Sequence, residues 1–265
     1  MPIRLFSRPR LIAALVSMAW LACSPLARAE ALRVWVSGGM APAYKVLGPQ
    51  FEKRTGQKIE TVYAVSLGTS PGAMPVRLDR GEPVDVLIMV KDGIAPLVAK
   101  GQVDARSVVD LADSKIAAAV REGAPVPDMG TVEAFRAALL NARSIAYSDS
   151  ASGIYLSGEL FKRLGVADQI ADRMHQIPAT PVGEAIARGE YELGFQQYSE
   201  LLPVKGIHII GLIPDAVQKV TVYAAAMSSH PRSPAAARKL LRFLRSHDAD
   251  RALLDSGLQP ASQRH

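Results

Sequence analysis

The chain has 265 residues, 31 Lys and Arg against 25 Asp and Glu for a net charge of +6, and one cysteine. Four of the arginines and that cysteine, Cys23, precede Glu30, so residues 30–265 hold 27 basic against 25 acidic side chains, a balance of +2. A near-neutral body without cysteine has no electrostatic footprint for nucleic acid, and it excludes a disulfide, a thiol nucleophile and a cysteine-based metal site.

Residues 1–29 read as a cleavable export leader. Arg4, Arg8 and Arg10 precede an apolar stretch from Leu11 to about Ala22, and Ala27-Arg28-Ala29 forms a small-x-small cleavage site before Glu30. The apolar stretch is about a dozen residues, short of the ~20 that span a bilayer. Leu21-Ala22-Cys23-Ser24 supports a second reading, lipidation at Cys23, although Trp20 stands where that pattern prefers leucine. The expected location is the periplasm.

Strands and helices then alternate, which predicts an α/β fold with mainly parallel sheets. Strands are expected at 32–36, 58–65, 84–90, 116–120, 144–147, 191–195, 207–212 and 220–226. Helices are expected at 41–55, 72–80, 94–100, 131–141, 154–164 and 182–188, with a last one from Ser233-Pro234 to about Ser246. Many of them stop at a glycine (Gly56, Gly81, Gly101, Gly165, Gly189). The pattern divides into a first lobe of 30–111 plus 220–265 and a second of 112–219. Two crossing strands, near Lys115–Val120 and Lys219–Met227, would join them around a ligand cleft.

Three strand-to-helix turns are rich in Ser, Thr and Gly: Ser37-Gly38-Gly39-Met40, Ser66-Leu67-Gly68-Thr69-Ser70-Pro71-Gly72 and Ser148-Asp149-Ser150-Ala151-Ser152-Gly153. Backbone N–H groups and the positive end of a helix dipole let such loops hold an anion without charged side chains. Any one of them is an ordinary helix cap. Three together suggest a receptor for an oxyanion or carboxylate.

Five segments in order resemble the periplasmic molybdate-binding-like family of ABC-transporter solute-binding proteins. They begin with VWVSGGMAPAYKVLGPQFEKRTG and SLGTSPGAMPVRLDRGEPVDVLIMV, continue with IAYSDSASGIYLSGELFKRLG and ARGEYELGFQQYSEL, and close with FLRSHDADRALLDSGLQP. The resemblance implies a bilobed, type II binding-protein fold. Such a protein closes over an anion as a monomer and hands it to an inner-membrane ABC permease, without metal or cofactor. It also implies ligand contacts from Ser37, Ser66, Thr69, Ser70, Ser150, the backbone at Ala151 and Ser152, and the backbone N–H of Val182. Two positions depart from the family pattern: Gly39 replaces an expected serine, and Gln197 an expected tyrosine beside Tyr198. An amide that donates and accepts suits a small organic carboxylate as well as molybdate, with Arg77 and Lys91 as candidate positive partners.

Catalysis is not expected from the sequence. His175, His208, His230, His247 and His265 are scattered without metal-ligand spacing. Ser150–Gly153 lacks the leading glycine of a nucleophile elbow, and Gly68–Gly72 lacks the ending of a phosphate-binding loop. The remaining alternatives are a sensor partner of a membrane receptor built on the same fold, and a cleft enzyme.

Overall fold

Every residue of Val86–Val90 is buried, and alternation explains how. Val86, Ile88 and Val90 face one apolar cluster while Leu87 and Met89 face another, so the strand lies inside a sheet covered on both sides. A computed structural model describes residues 30–178 and 181–264. The leader read at 1–29, with its cleavage site and Cys23, lies outside the described residues.

The first lobe opens with β1 (Leu32–Val36), a short 3-10 turn at Gly38–Met40 and α1 (Ala41–Thr55). Then come β2 (Ile59–Tyr63), α2 (Met74–Asp79), β3 (Val86–Val90), α3 (Ile94–Ala99) and β4 (Val109–Ser114). Past Lys115 the second lobe runs through β5 (Ile116–Arg121), α4 (Val132–Asn141) and β6 (Ile145–Ser148). A helical stretch follows as α5 (Ala151–Tyr155), a π turn at Leu156–Leu160 and α6 (Phe161–Arg163). The lobe continues with α7 (Ala167–Ile170), β7 (Met174–Ile177), α8 (Val182–Ala187), β8 (Leu193–Gln197), α9 (Tyr198–Leu201) and β9 (Ile207–Leu212). Back in the first lobe are β10 (Thr221–Met227), α10 (Pro234–Arg245), α11 (Asp250–Asp255) and β11 (Gln259–Pro260).

The sheets have strand orders β11-β4-β10-β3-β1-β2 and β7-β6-β8-β5-β9. Both are mixed. β1 pairs in parallel with β2 and β3, and β6 with β7 and β8. The strands next to the crossings, β4, β5, β9 and β10, pair antiparallel. Gln218 clasps the crossings: its Oε1 accepts the Ile116 N–H at 2.9 Å, and its Nε2 donates to the Ile116 carbonyl at 2.9 Å.

β4, β7 and β11 are not anticipated from the sequence. β4 reads VDLADS, where two aspartates interrupt the apolar run, and it becomes a strand only by pairing with β10 and β11. Asp85 is buried at the mouth of β3, where Oδ2 accepts the Arg33 N–H and Oδ1 the Arg232 N–H, so it fixes a strand start.

Candidate functional site

Between the lobes lies a cleft of about 830 Å³. Ser37, Gly38, Lys45, Tyr63, Ala64, Val65 and Gly72 wall it from the first lobe. Ser148, Asp149, Ser150, Glu184, Arg188, Gln196, Glu200 and Lys205 face them from the second. Strand ends and helix starts meet here, which is where open α/β sheets place ligands.

The first loop is shaped by what it lacks. Ser37 is buried, its N–H donates to the Ile88 carbonyl at 2.8 Å, and its hydroxyl is hydrogen-bonded with the Tyr223 phenol. A Cβ on Gly39 would overlap that phenol, and one on Gly38 would overlap Oε1 of Glu200. Gly39 therefore corrects the expectation of a lost ligand hydroxyl: the Tyr223 hydroxyl, from the crossing strand β10, fills the space a serine side chain would need.

Glu200 belongs to α9 of the second lobe, and its carboxyl crosses to the first. Desolvation pushes its pKa up to about 7; a hydrogen bond with Gln196 opposes the rise and the Asp149 charge adds to it. Burial and the nearby Glu200 also hold the Tyr223 phenol well above its ordinary pKa, so it stays neutral. A carboxyl that titrates near neutrality in a cleft is suited to taking and returning a proton.

Strand parity corrects the expectation at Gln197. Leu193 and Phe195 point into the second-lobe core, which puts Gln197 on their side of β8 and Gln196 on the other. Gln197 is buried and donates through Nε2 to Thr221 Oγ1 at 2.9 Å. It is Gln196 that reaches the cleft. Its Oε1 accepts the Val182 N–H at 2.9 Å, so that expected ligand donor already has a partner inside the protein.

Of the second-loop residues, Ser66 is buried and its Oγ accepts the Val90 N–H at 3.1 Å, tying the loop to the end of β3. Thr69 is exposed and Ser70 partly so, and neither lines the cleft; the loop contributes Gly72 instead, after Ala64 and Val65. In the third loop Ser150 lines the cleft, whereas Ser152 is buried with its Oγ 3.1 Å from Ser148 Oγ. Ala151 packs beside the first-lobe core cluster.

The cations differ from those expected. Arg77 stacks 4.5 Å from the Trp35 ring centre and donates through Nε to Glu82 at 2.7 Å, and Lys91 pairs with Asp110 at 2.9 Å. Both serve the first lobe rather than the cleft. Lys45, Arg188 and Lys205 line it instead; Arg188 also donates to Glu190 at 2.5 Å.

Sequence reasoning missed Glu200, Tyr223, Gln196, Asp149, Lys45 and Lys205. Alternation about the core residue Phe195 was a usable signal for Gln196. Nothing local marks Glu200, an acid in the first turn of a short helix, or Tyr223, one aromatic in an apolar strand.

Two mixed sheets around a cleft of mixed apolar and charged lining are the architecture of a solute-binding protein. The chain belongs to the family of bacterial extracellular solute-binding proteins, whose model matches residues 32–259. It is similar in fold to the periplasmic molybdate-binding protein of Azotobacter vinelandii, with a TM-score of 0.68 at 20% identity, covering 86% of this chain and 98% of that one. The sulfate-binding protein SubI of Mycobacterium tuberculosis H37Rv gives a TM-score of 0.68 at 15% identity, covering 88% of each chain.

A relative in sequence is the aconitate isomerase of a Pseudomonas species, 49% identical over 255 residues, which are 95% of this chain and 97% of that one. That relative is an enzyme, and it overturns the expectation that the chain is not one. A proton transfer at carbon requires no metal, thiol or serine nucleophile, only a carboxyl whose pKa burial has raised, as at Glu200.

Proposed function

We propose that the chain is a periplasmic cleft enzyme that moves a carbon–carbon double bond within a small tricarboxylate of the aconitate type. The observation that carries this reading is Glu200, a carboxyl titrating near 7 inside the cleft. The likeness to an aconitate isomerase over almost the whole chain supports the substrate class.

Aconitate is a propene with one carboxylate on each carbon, HC=C–CH₂ along its backbone. The CH₂ hydrogens are acidic because the resulting carbanion delocalises over the three carbons into the carboxylates. Ionised Glu200 removes one such proton as the C–H bond breaks. The double bond shifts by one carbon, and protonated Glu200 returns the proton to the other end. One C–H bond is broken and one is formed, with no net redox change. The new double bond takes cis or trans geometry according to how the cleft holds the outer carboxylates.

Lys45, Arg188 and Lys205 supply cations for those carboxylates from both lobes. With Glu200 near half ionised at neutral pH, neither proton removal nor proton return is strongly uphill. The Tyr223 phenol and the Ser37 hydroxyl occupy the floor beside it.

The test is to incubate the purified protein separately with cis- and trans-aconitate and follow the vinyl protons by NMR. Convergence on one mixture from both sides, lost in Glu200→Ala, is the expected result. A second reading, favoured by the family match, is capture of an organic anion for delivery to an ABC permease. Micromolar binding of both isomers with no interconversion would select it and remove the enzyme reading.

A further inference from the structure

We propose that Glu200 closes this cleft to compact inorganic oxyanions and reserves it for polycarboxylates, whose charges are spread along a carbon skeleton. The proposal rests on reading the cleft as a polycarboxylate site but not on turnover.

The carboxyl of Glu200 lies against the backbone of the first loop, so close that Gly38 has no room for a Cβ. The chain's own anion thus occupies the space beside that loop. Gln196, hydrogen-bonded to Glu200, also fills the hydrogen bond of the Val182 N–H at the head of α8. Asp149 adds a second carboxylate to the same end of the cleft. A side-chain oxygen of the protein therefore takes the Val182 donor, and another fills the space beside the first loop.

Sulfate carries two charges within one small tetrahedron and cannot occupy this end of the cleft without facing Glu200 and Asp149. A tricarboxylate is not so confined. Its carboxylates are spread over three carbons and can turn toward Lys45 on α1, Lys205 after α9 and Arg188 after α8, with a C–H face toward Glu200. The selection is by charge spacing. The same carboxyl would be tolerated by one ligand and repel the other.

Titration calorimetry at pH 8.5, where Glu200 is ionised, tests this with two unreactive probes, sulfate and propane-1,2,3-tricarboxylate. The wild type should bind the tricarboxylate and bind sulfate at least a hundredfold more weakly. Glu200→Gln, which keeps the shape and removes the charge, should gain tenfold or more in sulfate affinity, so that the preference for the tricarboxylate over sulfate narrows. Unchanged sulfate affinity in Glu200→Gln, or wild-type affinity for sulfate equal to that for the tricarboxylate, would overturn the proposal. Should the glutamine variant not fold by circular dichroism, Glu200→Ala is measured against the same two outcomes. Both probes lack a double bond, so the result is independent of whether aconitate is turned over.

Discussion

The carboxyl of Glu200, carried by the second lobe, is lodged against the backbone of Gly38 in the first. This contact joins the lobes at the bottom of the cleft and puts a titrating group at the place where the ligand is expected. A side chain at position 38 would push that carboxyl, the far end of a flexible side chain, away from the loop.

The pH dependence of activity follows from that group. Burial raises its pKa to about 7 in the free protein, so the basic form is lost as pH falls through 7. The kcat/KM for aconitate should reach a plateau above about pH 8 and fall tenfold per unit on the acid side, to about a hundredth of the plateau at pH 5. A profile whose acid limb turns near 4.5 would mean an unperturbed carboxylate is responsible instead.

Lys45 and Lys205 line opposite walls and stand toward solvent. Replacing either with alanine should raise the KM for aconitate by about fivefold, the equivalent of ~1 kcal/mol for a partly exposed ion pair. The kcat should change little. Arg77→Ala is the control: its partners are Trp35 and Glu82, so it should lower thermal stability and leave KM unchanged.

The two adjacent glutamines should separate cleanly. Gln196 stabilises the ionised form of Glu200 by a hydrogen bond. Gln196→Ala should therefore move the acid limb of the pH profile to higher pH. The Gln197 side chain donates to Thr221 on β10 and faces away from the cleft. Gln197→Ala should cost about 1 kcal/mol of stability and leave the limb where it was, read by urea denaturation and by the rate profile.

Gly39→Ser restores the serine that the molybdate-binding-like pattern prefers, and it should damage this protein. The new side chain would collide with the Tyr223 phenol, which is buried and cannot yield outward. A loss of about 1–3 kcal/mol is expected from overpacking, with a drop in kcat as the floor beside Glu200 shifts. A variant as stable and as active as the parent would show that Tyr223 moves freely.

Much of the frame was legible from local signals. The all-apolar Val86–Val90 reads as a doubly covered strand, and Gly56 with its positive φ ends α1 where a left-handed C-cap is needed. The strands that escaped notice, such as Val109–Ser114, lack an apolar run of their own and gain their hydrogen bonds from distant partners. Within the site, Ser37 and Ser150 line the cleft, but the Ser37 hydroxyl is already bonded to the Tyr223 phenol. Ser66 and Ser152 carry the same hydroxyl chemistry but spend it on Val90 and Ser148. A loop motif does not state which of its donors remain unpaired.

By itself the sequence determined the α/β alternation, the loops that open helices and the family, because these depend on patterns a few residues long. Tertiary structure decided the chemistry. Glu200, Tyr223 and Gly38 lie far apart along the chain, and the raised pKa of Glu200 comes from burial between two lobes. Desolvation is a property of what surrounds a carboxyl in space, and the neighbours of Glu200 along the chain do not supply it.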